Sequence, residues 1–98
     1  MTVKKEKNGD VLTVSIEGRL DTTTAPELEA ELKGALDGIA ELVLDVSAMD
    51  YISSAGLRVL LSAQKTMNRQ GEMKVTGVSE MVMEIFDVTG FSSILNIV

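Results

Sequence analysis

The chain has no cysteine, no histidine and no tryptophan, and only one proline, one tyrosine and two phenylalanines among its 98 residues. Each absence removes a class of chemistry. Without cysteine there is no disulfide, no thiolate nucleophile and no cysteine-based metal site, which fits a reducing compartment. Without histidine there is no Ser-His-Asp triad, no usual zinc site and no ordinary general base at neutral pH. An enzyme built here would have to run on groups such as Asp21, Asp45 and Lys74, and the sequence carries no glycine-rich phosphate loop to help them. The expectation is a non-enzymatic module that needs no cofactor and no metal.

Positive charge is also scarce. Nine Lys and Arg face 15 Asp and Glu, leaving a formal net charge of −6. That balance opposes binding to a nucleic-acid backbone or to an anionic membrane surface. No apolar run approaches the roughly 20 residues that span a bilayer, and no basic segment followed by an apolar stretch opens the chain. A cytoplasmic protein acting on a protein partner or a small ligand, as a monomer or weak dimer, is expected. Hydrophobic content of 45% is enough for one core, and no linker or repeat interrupts it, so residues 1–98 read as one domain.

What is present alternates strand and helix signals. Residues 3 to 7 are charged and suit an edge strand, with Asn8-Gly9-Asp10 as a hairpin turn. Leu12, Val14 and Ile16 then alternate with Thr13, Ser15 and Glu17, so a second strand has one face on the core, and Gly18-Arg19-Leu20-Asp21 leaves it. Thr24 with Glu27 forms a capping-box pattern, and Pro26 falls in the first turn of the helix that follows. Ala25, Leu28, Leu32, Ala35 and Leu36 line its apolar stripe, and Gly38 suits its C-terminal end.

Leu42 to Val46 predicts a short strand covered on both faces. A second helix begins at Ser53-Ser54 and carries Leu57, Leu60, Leu61 and Met67 inward, with Val59 and Ala63 widening the arc. Its outer row, Arg58, Ser62, Lys65 and Arg69, is a basic stripe on an acidic protein. Gln70-Gly71-Glu72 ends this helix. Met73 to Thr76 is a strand, Ser79 caps a third helix with Val82, Ile85 and Phe86 inward, Thr89-Gly90 ends it, and Ile94 to Val98 could be a last strand. The predicted class is α/β, a mixed and mostly parallel sheet with helices packed on it in the order β-β-α-β-α-β-α-β, with binding sites at the carboxyl ends of the strands.

Ser53 and Ser54 stand at the joint between strand and helix. Capping needs one hydroxyl, so if Ser53 caps, Ser54 is the first helical residue and projects outward, where the helix dipole favours an added phosphate. Gly56 suits either close packing on the sheet or close approach of a partner.

Gly18-Arg19-Leu20-Asp21, Leu44-Asp45-Val46-Ser47, Tyr51-Ile52-Ser53-Ser54-Ala55-Gly56-Leu57 and Phe86-Asp87-Val88-Thr89-Gly90-Phe91, in this order, resemble the STAS domain family, named for sulfate transporters and anti-sigma factor antagonists. The resemblance implies a bacterial partner switch in which the unphosphorylated domain binds an anti-sigma factor that is also a serine kinase. It further implies that phosphorylation parts the complex and that a separate serine phosphatase resets it. By position, the acceptor is Ser54, with Ser53 as second choice. Asp21 falls in an acidic loop position beside the acceptor, and Asp21, Thr22, Ser53, Ser54, Ala55, Gly56, Arg58 and Ser62 form the expected partner-binding set. Many members carry aspartate where this chain has Ser53. The competing reading is a STAS sensor or scaffold module that binds a small ligand or a larger signalling complex without a phosphate switch.

Overall fold

The computed structural model describes the whole chain, Met1–Val98. Strand β1 (Thr2–Asn8) turns at Gly9 into β2 (Val11–Leu20), which is followed by helix α1 (Ala25–Leu32), β3 (Glu41–Ile52), α2 (Ser54–Asn68), β4 (Glu72–Thr76) and α3 (Glu80–Thr89). The sheet runs β1-β2-β3-β4, with β1 antiparallel to β2 and the other two pairings parallel. This is the expected α/β class with a mixed, mostly parallel sheet. The expected last strand is reduced to a 3-10 turn at Phe91–Ser93 and a single parallel bridge from Ile97 to Val75. There Val75 N–H donates to Asn96 C=O and Val98 N–H donates to Val75 C=O, both at 2.9 Å.

The core lies on one side of the sheet. Leu12, Val14, Ile16 and Leu20 of β2, Leu42, Leu44 and Val46 of β3, and Met73 and Val75 of β4 join one buried cluster with Leu28 and Leu32 of α1, Leu60 and Met67 of α2, and Val82 and Phe86 of α3. Their alternate neighbours, Thr13, Ser15, Val43, Asp45, Lys74 and Thr76, are only half-buried. The expectation that β3 is covered on both faces is therefore corrected: all the helical cover is on one face, and the other is an open, polar surface.

Strand β3 runs to Ile52, well past the expected end at Val46. From Val11↔Glu41 to Leu20↔Ile52 it uses two more residues than β2, taken up in register shifts between Ser15 and Glu17 and between Gly18 and Arg19. Each extra residue reverses which side chains face the core. The buried series Leu42, Leu44, Val46 therefore continues as Met49 and then Ile52, and the broken alternation hides the strand from a period-two reading. At the first bulge Asp45 Oδ1 accepts from Ser47 N–H at 3.0 Å and from the Ser47 hydroxyl at 2.7 Å. These bonds, the hydroxyl's foremost, hold the Asp45 carboxyl below the usual aspartate range.

Strand β2 likewise stays in the sheet to Leu20 and does not leave it at Gly18. Helix α1 differs from expectation at both ends. The Thr24 side chain makes no cap bond to the helix; its hydroxyl instead donates to Arg19 C=O at 2.7 Å. Asp21 instead braces the turn that leads into the helix. Its Oδ1 accepts from the N–H groups of Thr23 and Thr24 at 3.0 and 3.1 Å, and its C=O accepts from Ala25 N–H at 2.8 Å. At the other end Lys33 turns extended and Gly34 takes φ +79°, so the helix stops before the Ala35 and Leu36 expected on its stripe. Leu36 still reaches the core from the loop, and Gln70 donates to Leu36 C=O and Ile39 C=O at 2.6 and 2.7 Å, tying that loop to the end of α2.

Helices α2 and α3 start as expected, with Ser53 and Ser79 as N-caps, and α3 ends at the left-handed Gly90. Met49, Met67 and Met73 are buried, whereas Met81 is exposed.

Two outcomes follow. Phe86→Ala, which removes the largest fully buried side chain, should destabilise the fold by about 3–5 kcal/mol in chemical denaturation. The pH dependence should report Asp45. Its folded pKa lies below the unfolded value, so its contribution is fully present above the ordinary value of 3.8 and is lost as pH falls through the lowered folded value. Asp45→Asn should therefore flatten the loss of stability below about pH 4, read as the denaturation midpoint against pH.

Candidate functional site

The register of β2 and β3 builds the site. Leu20 and Ile52 are partners at the two strand ends, so the turn after β2 and the start of α2 emerge side by side. Ser53 N–H donates to Leu20 C=O at 2.9 Å and locks the two together. Ser53 is extended, its C=O accepts from Leu57 N–H at 2.9 Å, and its Oγ accepts from Gly56 N–H at 3.4 Å. Its hydroxyl is thus committed to the cap. Ser54 is the first residue of the helix and is exposed, with no hydrogen bond to its hydroxyl recorded within the chain.

Gly56 is buried at the seam. A Cβ there would lie 2.8 Å from Leu20 Cγ and 2.9 Å from Ile52 Cγ1, closer than real side chains approach. Of the two roles open to Gly56 in the sequence, the geometry meets close packing, and it is the one member of the partner-binding set with no surface to offer. Ala55 is half-buried beside it, whereas Thr22, Arg58 and Ser62 are exposed. Arg58 and Ser62 line a shallow groove along α2 with Leu61, Lys65, Thr66 and Arg69, so the basic row stands in the open as expected.

Asp21 sits in the turn next to Ser53, where it is partly exposed. The N–H of Thr24 is the main cause that holds its carboxyl below the ordinary range; Thr23 N–H, the Thr24 hydroxyl and Arg19 add to this, and partial burial opposes it. Asp21 is a carboxylate at neutral pH. Beside it lies a pair that the spacing of residues did not reveal: Arg19 stacks over the Tyr51 ring with 4.4 Å to its centre, and its Nε is 3.7 Å from Asp21 Oδ2. Arg19 and Tyr51 are register partners only because of the second bulge, so a sequence reading without the bulge could not pair them.

The other groups an enzyme could have used lie outside this cluster. Asp45 is on the open sheet face opposite Ser15 and Thr76, seven residues before Ile52 along β3. Lys74 is held by Glu41 at 3.1 Å, which raises its pKa through that hydrogen bond first and the charges of Glu41 and Glu72 next. Asp21, Asp45 and Lys74 therefore do not converge. No helix is long and apolar enough to cross a membrane.

Comparison with known proteins agrees with the geometry. The STAS domain family model matches residues 2–98. The BtrV protein of Bordetella bronchiseptica is 38% identical over 96 residues, covering 96% of this chain and 83% of its own length. The anti-sigma-B factor antagonist of Bacillus subtilis is 30% identical over 98 residues, covering 99% of this chain and 90% of its own. The crystal structure of an anti-sigma factor antagonist from Mycobacterium paratuberculosis superposes with a TM-score of 0.88 at 26% identity, covering 98% of this chain and 83% of that one. With its serine-capped second helix seated through Gly56 on the paired ends of two parallel strands, and with a family match across nearly every residue, the chain belongs to the STAS domain family.

Proposed function

We propose that residues 1–98 act as one STAS domain and as an anti-sigma factor antagonist working by partner switching. Unphosphorylated, the domain binds an anti-sigma factor that is also a serine kinase; phosphorylated on Ser54, it is released, and a separate serine phosphatase resets it. The observation that carries this reading is the division of labour at the joint. Ser53 is committed to the cap and Ser54 is exposed at the first helical position. The names of the B. subtilis and M. paratuberculosis relatives support the partner class.

In this scheme the domain is a substrate and a ligand, not an enzyme, and it acts in the cytoplasm without cofactor or metal. The kinase moves the terminal phosphoryl group of a nucleoside triphosphate to Ser54 Oγ. The new O–P bond forms as the bond to the nucleoside diphosphate breaks, and the hydroxyl proton passes to a base on the kinase. Hydrolysis by the phosphatase returns the hydroxyl and inorganic phosphate. The product carries about −1.5 to −2 extra charge at neutral pH. That charge lands beside the ionised Asp21 on a chain already at −6. It blocks a surface made by Asp21, Thr22, Ser53, Ser54, Ala55, Arg58 and Ser62 by repulsion and by the cost of desolvation. Gly56 serves that surface from below, by seating α2.

Ser54→Ala should keep partner binding and abolish phosphate incorporation from labelled nucleotide, and Ser54→Asp should weaken binding in a pull-down. Continued incorporation in Ser54→Ala would make Ser53 the acceptor and sink the assignment. Ser53→Ala should cost about 1 kcal/mol of stability through the lost cap and leave labelling in place. Gly56→Ala should cost about 1–3 kcal/mol, because the helix must lift off Leu20 and Ile52, and should weaken binding without touching either hydroxyl. If no phosphorylated form is found in cells during growth or stress, the domain is a ligand sensor or scaffold instead.

A further inference from the structure

Helix α2 carries Arg58 and Lys65, with Arg69 at its C-cap, and no Asp or Glu. The ion pairs of the molecule use Lys5, Arg19 and Lys74, so Arg58 is exposed with no acidic partner. Its position is specific. Ser54 and Arg58 are four residues apart, one turn along the same exposed stripe, with about 6 Å of rise between them. An acidic group N-terminal to a cation at this spacing is the favourable order on a helix, and a planar guanidinium can take two phosphate oxygens at once.

The geometry points to Arg58 as the internal counter-ion of a phosphate on Ser54. This rests on the reading of Ser54 as the acceptor and adds a second consequence of modification. Before it, the guanidinium is free to meet a carboxylate on the partner. After it, Arg58 folds back onto the phosphate, so the partner-facing stripe gains a dianion and loses a cation in one event. Asp21 is the acid on the other side of the joint and already has its own partners in the N–H groups of Thr23 and Thr24 and in Arg19, which leaves Arg58 for the phosphate.

The test does not need the kinase. Phosphoserine is incorporated at position 54 during synthesis, and its second ionisation is followed by phosphorus NMR between about pH 4 and 8. With Arg58 present the midpoint should lie below that of Arg58→Gln by roughly 0.3 pH unit or more. Arg58→Lys should recover part of the shift, and raised salt should shrink it. Lys65→Gln, about 16 Å further along the helix axis, should leave the titration where it was. Superimposable curves for Arg58 and Arg58→Gln would overturn the inference even if the kinase labels Ser54. Conversely, absence of kinase labelling would sink the reading of Ser54 as acceptor while the titration still decides the pairing.

Discussion

The close seating of α2 on the paired strand ends is the contact on which the serine end of the molecule depends. A hydrogen in place of a side chain at Gly56 lets the helix lie directly on Leu20 and Ile52. That seat works only if both residues face the core at the same level. The first bulge in β3 reverses the facing of its side chains, and the second returns Ile52 to the buried face opposite Leu20. The positions of Ser53 and Ser54 are therefore set by two extra residues in the preceding strand. A strand with only one of them would finish with the opposite side chain inward and would aim the helix elsewhere.

Charge is distributed with comparable economy around this end. Asp21, beside the serines, is committed to its turn, and Asp45 to a bulge on the far face. The cations of α2 are not. A domain of net −6 thus carries along α2 a small surface whose uncommitted charge is positive, and in the proposed switch a phosphate on Ser54 would reverse the sign of that surface. Little rearrangement of the backbone is required, since the helix N-terminus tolerates the added anion.

Much of this was legible in the residues and some was not, for identifiable reasons. Cap residues at Ser53 and Ser79 and the one-sided apolar spacing of α2 and α3 are local signals, and they placed those helices correctly. Thr24 carried an equally good local signal and misled, because its hydroxyl turns back to Arg19 C=O and Asp21 N–H while its own C=O takes the Glu27 N–H. The end of β3 was hidden because bulges interrupt the alternation that marks a strand. Leu42 to Val46 looked covered on both sides because Val43 is apolar, yet nothing packs over it and its neighbour Asp45 uses the open face. The stacking of Arg19 on Tyr51 depends on register, which no single segment encodes.

The two borders of the sheet are protected by different means. On one side β1 carries Lys4, Lys5, Glu6 and Lys7 in a seven-residue strand, so a second sheet docking there would have to bury charge. On the other side β4 is short, and a single bridge from Ile97, flanked by backbone bonds through Asn96 and Val98, occupies its next-to-last residue Val75. The tail is a stopper more than a structural strand. Resistance to strand-by-strand polymerisation thus rests on charge at the lysine-rich border and on the backbone bonds of Val75 at the other.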